Sequence, residues 1–175
     1  PQADQGQALE YFEMTKPAGL SMNVMAINSY ADHVKNFYAT DHHLNLNGLG
    51  QAYQELHQIL SLNYPEISPL LDLSKVITFH DARQQGSLSR TTLYPMEGDV
   101  FQVYDLKLPT YTVYSKWGVY PLQEKQAAML ENYSTMPFQE YYGQYYDLQN
   151  SIYDFEFQTN TSRNLLIIGS SFVRG

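Results

Sequence analysis

Two short segments carry the residues that could do chemistry. Thr40-Asp41-His42-His43-Leu44-Asn45 sets a carboxylate and an imidazole two positions apart, and Ile167-Ile168-Gly169-Ser170-Ser171-Phe172 runs an apolar stretch into a Gly-Ser-Ser turn. A hydroxyl, an imidazole base and a carboxylate that orients the imidazole are the parts of a Ser-His-Asp site. An extended loop places residues two apart on one side, which pairs Asp41 with His43 and makes His43, not His42, the base. Gly169 allows a tight turn that lifts Ser171 above the end of a strand, where backbone N–H groups can line an oxyanion hole. Taken alone, Gly169-Ser170-Ser171 reads more simply as a serine-rich turn.

Two adjacent histidines also suggest metal. Neighbouring side chains on an extended segment point to opposite faces, however, so no metal site is expected here, and no cofactor is required by a Ser-His-Asp mechanism. A divalent-metal hydrolase built on Asp41 and His43 is a separate class, distinguished by metal in the purified protein. His33, His57 and His80 read as structural or solvent-facing, and Arg83 and Arg90 as surface residues.

The elements that must position these segments follow from hydrophobic periodicity. Asn28 to Tyr38 and Asn47 to Asn63 have helical spacing, the second with a stripe of Leu49, Ala52, Tyr53, Leu56, Ile59 and Leu60, with Asn47 as cap and Pro65 beyond the end. Ser21 to Ile27 reads as a short strand. Val76-Phe79, Thr91-Tyr94, Val100-Tyr104 and Tyr111-Tyr114 are β-rich runs broken by Gly86, Pro95, Gly98 and Pro109. They define a β-rich insertion over residues 75–120 within a single domain spanning 1–175. Gln123 to Leu130 favours a short helix, and the Tyr pairs at 141–142 and 145–146 look loop-like. Trp117 and the Tyr pairs read as core packing, with stacking on a sugar ring as the alternative. Arg163 to Ile168 reads as a buried strand of a parallel sheet.

Composition narrows the classes. The chain has 175 residues, 43% of them hydrophobic and 16% charged, which fits a folded domain. Its net charge of −8 disfavours a broad basic face for nucleic acid or an acidic membrane. It has no cysteine, hence no disulfide and no thiolate nucleophile. No run reaches the roughly 18 apolar residues that span a bilayer.

Taken together, the segments have a family likeness. Asn36-Phe37-Tyr38-Ala39-Thr40-Asp41-His42-His43 with the following Gly48-Leu49-Gly50-Gln51-Ala52-Tyr53 resembles the signature of the DHHW protein family, which reads Tyr-Tyr, Thr-Asp-His-His-Trp-Thr, then Gly-Ala-Tyr. Gly86-Ser87-Leu88 looks like its Gly-(Ser/Thr)-Leu region, and Asn164 to Phe172 like its Leu-Leu-Ile-Ile-Gly-Asp-Ser block. Such proteins are similar to SGNH-type hydrolases and alginate O-acetyltransferases. The resemblance implies an α/β fold, a partial flavodoxin-like α/β/α sandwich incomplete at both ends. It implies Ser171 as nucleophile, His43 as base and Asp41 as orienter. It further implies an extracytoplasmic carbohydrate esterase or O-acyltransferase, secreted or at the cell surface, acting on polysaccharide or an acylated glycan. Membrane association would run through a segment outside this sequence. Leu44 stands where the family has Trp, and Ser170 where it has Asp. Those two departures favour the alternative, a catalytically inactive surface or carbohydrate-binding protein of the same fold.

Overall fold

The computed structural model describes residues 5–20, 25, 27–92, 97–133, 141–147, 153–158 and 164–167. They form a mixed α/β structure in the order α1 (Gln5–Thr15), α2 (Tyr30–Asn36), α3 (Leu46–Asn63), β1 (Val76–Gln84), α4 (Ser87–Thr92), β2 (Asp99–Tyr104), β3 (Tyr111–Ser115), β4 (Gly118–Val119), α5 (Leu122–Asn132), α6 (Tyr141–Tyr145) and β5 (Tyr153–Phe157).

Local chemistry sets the two helices that flank the Asp41-His42-His43 segment. Ser29 caps α2, its hydroxyl accepting from Asp32 N at 3.1 Å while donating to Asp32 Oδ2 at 2.8 Å. One of the free N-terminal N–H groups of the helix is thereby engaged locally. The cap of α3 is Asn45, whose side-chain oxygen accepts from Gly48 N at 3.1 Å. This corrects the expected cap at Asn47, whose amide instead donates to Asn36 Oδ1. Asn47 is drawn toward α2 because the helices come close at Gly48, where an added Cβ would lie 2.2 Å from the Asn36 carbonyl oxygen. The apolar stripe of α3 is only half-buried, with Leu56 exposed.

The strands make two small sheets. β1 pairs antiparallel with β2, with a register shift between Thr78 and Arg83, and β3 pairs antiparallel with both β4 and β5. Every strand pair among the described residues is antiparallel, whereas a parallel sheet was the expectation. Residues 164–167 form no strand, and Leu165, Leu166 and Ile167 are exposed. Four apolar residues suffice for a buried strand only when a neighbouring strand and a covering layer meet them, and among the described residues neither does.

Three further elements depart from the sequence pattern. Of the expected strand run Thr91–Tyr94, Thr91 and Thr92 belong to α4, where the Thr92 hydroxyl donates to the Leu88 carbonyl at 2.8 Å, and Leu93 and Tyr94 lie outside the described residues. Tyr141 to Tyr145 form a helix with Tyr141 and Tyr142 buried, so the first Tyr pair is core as expected but helical instead of looped. Trp117 is 82% exposed in the β3–β4 turn, contrary to its reading as core. A turn residue projects from the sheet edge, and there the Lys116 ammonium sits over the indole at 4.9 Å. Met25 and Ile27 lie in no strand, and the rest of the expected 21–27 strand is outside the described residues.

The core joins β1, β2, α5 and α6 through Phe79, Phe101, Val103, Met129, Tyr141 and Tyr142, with Tyr38 from the loop after α2. Phe79 and Phe101 pack at 5.0 Å between ring centres, and Tyr38 meets Tyr142 edge-on at 6.0 Å. The core therefore reaches directly to the Asp41-His42-His43 loop. No helix among the described residues is long and apolar enough to cross a membrane.

Candidate active site

The loop that carries Asp41 and His43 is pinched at its base. Phe37 and Leu44 form an antiparallel bridge, Tyr38 N donates to His43 O at 3.2 Å, and Asn45 N donates to Asn36 O at 3.0 Å. The Asn45 amide ties the base again, donating to Phe37 O at 2.9 Å and Lys35 O at 3.0 Å. Between these ties, residues 39–43 bend instead of extending.

The bend brings Asp41 and His43 together. His43 Nδ1 lies in direct contact with Asp41 Oδ1, and His43 N donates to the same oxygen at 3.1 Å. The expected pairing is present, but its cause differs from the extended geometry anticipated. An Asp side chain accepting the N–H two residues on is an Asx-type turn, and it places the imidazole over the carboxylate. The same bend gathers His42. Its Nδ1 stands 3.3 Å from Asp41 Oδ1, and its ring centre is 4.1 Å from that of His43. The two histidines do not point apart, which removes the reason given above against a shared metal.

Asp41 is held from behind by a segment not singled out for a role at the site. Ser87 N donates to Asp41 Oδ2 at 2.7 Å, and a Cβ on Gly86 would fall 2.2 Å from that oxygen. Gly86 is thus required by close approach, not by backbone angles. The Ser87 hydroxyl lies 3.0 Å from His42 Nδ1. Burial alone would raise the Asp41 carboxyl, but hydrogen bonds from the His43 side chain and the Ser87 N–H, with the nearby imidazole charge, outweigh it. The carboxyl is held well below the usual carboxylate range.

A further clamp fixes the residue before Asp41. The Asp99 carboxylate accepts from Ala39 N at 2.8 Å, Thr40 N at 2.8 Å and the Thr40 hydroxyl at 2.6 Å. Thr40 Oγ1 accepts in turn from Gly86 N at 3.0 Å, and Thr40 O accepts from Leu88 N at 3.0 Å. Asp99 and Thr40 were both missed from sequence. Thr40 adjoins the motif and could have been suspected, but Asp99 lies 59 positions on with no local pattern to mark it.

Tyr142 completes the wall. Its ring stacks on His43 at 4.6 Å and 27°, and its N–H donates to the Gln84 side-chain oxygen at 3.1 Å. Burial, then the Asp41 charge, push the Tyr142 phenol up to about 12. Among the described residues, its hydroxyl and Gln84 Nε2 have no hydrogen-bond partner. Beside the site, a cleft of about 170 Å³ is lined by Tyr38, Asn45, Asn47, Asp99 and Gln102 among others. The Asn45, Asn47, Asp99 and Gln102 side chains there are already engaged in bonds within the fold.

His43 is 6% exposed, and its Nδ1 is committed to Asp41, so proton transfer with a substrate would use Nε2. Ser171 lies outside the described residues. His33 stacks on Phe37, His57 Nε2 bonds Ser68 O at 2.8 Å, and His80, Arg83 and Arg90 are exposed. Comparison of the chain with protein-family models, with curated proteins and with solved structures finds no match.

Proposed function

We propose that Asp41 and His43 are the acid–base pair of an SGNH-like carbohydrate esterase or O-acyltransferase whose nucleophile is Ser171. The reading places the chain within a partial flavodoxin-like domain of an extracytoplasmic protein that acts on acyl esters of polysaccharide. One observation carries it, the contact between Asp41 Oδ1 and His43 Nδ1 with its backbone support. Such a contact fixes the imidazole tautomer and stabilises the imidazolium formed during proton transfer. The resemblance of the Asp41-His42-His43 and Gly169-Ser170-Ser171 segments to the DHHW family supplies the nucleophile and the substrate class.

In this reading His43 Nε2 takes the Ser171 hydroxyl proton as the oxygen attacks an ester carbonyl. The tetrahedral intermediate collapses with the same proton passing to the leaving sugar oxygen, which leaves an acyl-serine. Water or a second sugar hydroxyl then takes the acyl group by the reverse sequence.

The burial of His43 favours a second reading, a structural Asp–His pair in an inactive glycan-binding protein of the same fold. Fluorophosphonate labelling of the intact chain separates the two. The catalytic reading expects label on Ser171 by peptide mass, none on Ser171→Ala, and a rate reduced by about 10²–10⁴-fold in His43→Gln. Absence of label from a chain with native circular dichroism rejects it.

A further inference from the structure

We propose that Asp41, His42 and His43 form a binding site for one divalent transition-metal ion of the zinc type. The inference stands on the geometry alone; only its effect on catalysis rests on the acyl-transfer reading. One ligand atom from each of the three residues lies within 4.8 Å of the other two. Asp41 Oδ1 is the shared corner, in contact with His43 Nδ1 and 3.3 Å from His42 Nδ1. Ligands bound about 2.0–2.2 Å from a tetrahedral zinc stand about 3.3 Å apart, so the His42–Asp41 edge already has ligand spacing. Two imidazoles and one carboxylate suit zinc and its neighbours, not calcium or magnesium, which take oxygen ligands.

The surroundings are those of a built site. Ser87 N holds Asp41 Oδ2 at 2.7 Å, which turns Oδ1 toward both histidines, and the tight approach of Gly86 prevents the carboxylate from backing away. Tyr142 supports the far face of the paired rings through its stack on His43. The His42 side chain is 50% exposed, which gives an ion a way in from solvent.

Binding changes the His43 tautomer. Its proton leaves Nδ1 and, by exchange with solvent, one is taken up at Nε2, so the ring stays neutral with Nδ1 free to ligate; the Asp41–His43 contact opens to ligand spacing, and the Ser87 hydroxyl leaves the His42 Nδ1 lone pair. Asp41 Oδ1 and the two Nδ1 atoms then bind the ion, and water completes the tetrahedron. Because the ion and the acid–base pair need the same His43 Nδ1, metal loading and acyl transfer exclude each other.

The test is zinc binding by the full chain, read by competition with a chromogenic chelator and by X-ray absorption of the bound ion. The expected result is a single ion with only nitrogen and oxygen neighbours. His42→Ala should weaken it at least about tenfold, no less than the loss of an outer-shell partner does. His80→Ala, at an exposed histidine away from the cluster, should leave it unchanged. His42 is half-exposed, so its variant keeps the fold, as circular dichroism would verify. Failure to compete with the chelator, or equal affinity in His42→Ala, overturns the proposal. Zinc binding by a chain that, when zinc-free, takes no fluorophosphonate label would leave the metal site standing and remove the acyl-transfer reading, and labelling of the zinc-free chain without zinc binding would do the reverse.

Discussion

The Thr40 hydroxyl donates to Asp99 Oδ2 at 2.6 Å, joining the residue before Asp41 to the first residue of β2. Thr40 Oγ1 also accepts from Gly86 N at 3.0 Å, so one hydroxyl links the Asp41-His42-His43 loop, the β2 strand and the segment that holds Asp41. Thr40 is 1% exposed, and water cannot replace these bonds. Thr40→Val keeps the shape and deletes the hydroxyl, leaving a buried Gly86 N–H unpaired. It should cost about 1–3 kcal/mol in urea unfolding, with Thr40→Ser close to wild type. A loss of less than about 0.5 kcal/mol would show that the link is not stabilising.

Gly86 tests the same junction by volume. Its added Cβ would meet Asp41 Cβ and Oδ2 at 2.2 Å, closer than nonbonded atoms come. Asp41 cannot move aside, because it is buried and its Oδ2 is bonded to Ser87 N. Gly86→Ala should lower stability by about 1–3 kcal/mol and shift the downfield Nδ1 proton resonance of His43 in NMR spectra. An unchanged resonance would mean that the Asp41–His43 contact does not depend on Gly86.

The parts of this site visible in the sequence are the local ones. Asp41 and His43 are two positions apart, so their types and spacing announce the pair, and the helices on either side follow from periodicity, although the cap of α3 is Asn45 and not Asn47. What supports the pair is spread along the chain. Asp99, Gln84 and Tyr142 reach the loop only after β1 pairs with β2 and α6 packs against them, and no local pattern encodes those meetings. The Thr91-Thr92 run shows the opposite failure: strand-type residues close a helix because Thr92 finds its partner on the preceding turn. Residues 164–167 have the composition of a buried strand, but composition cannot supply the covering layer such a strand requires.

Acid should weaken the molecule through Asp41. Its carboxyl is held below the ordinary 3.8, so on acidification the unfolded chain takes up the proton first. The stabilisation is complete above the ordinary value and disappears as pH falls toward the lower folded value. Asp41→Asn, which places an amide among backbone and imidazole donors, should be about 3 kcal/mol less stable than wild type at neutral pH. That difference should hold down to about pH 5 and shrink below about pH 4. A difference independent of pH through this window would show that the carboxylate charge is not what the fold stabilises.

Tyr142 separates ring from hydroxyl. The ring stacks on His43 and meets Tyr38 edge-on, whereas the buried hydroxyl has no hydrogen-bond partner among the described residues. Tyr142→Phe keeps both ring contacts and removes a desolvated polar group, so it should be neutral or stabilise the fold by about 1 kcal/mol. Tyr142→Ala also removes the wall behind His43 and should cost about 3–5 kcal/mol. Chemical denaturation of the two variants gives the comparison. If Tyr142→Phe were as damaging as Tyr142→Ala, the hydroxyl and not the stack would be holding the imidazole, and the account of how His43 is positioned would fail.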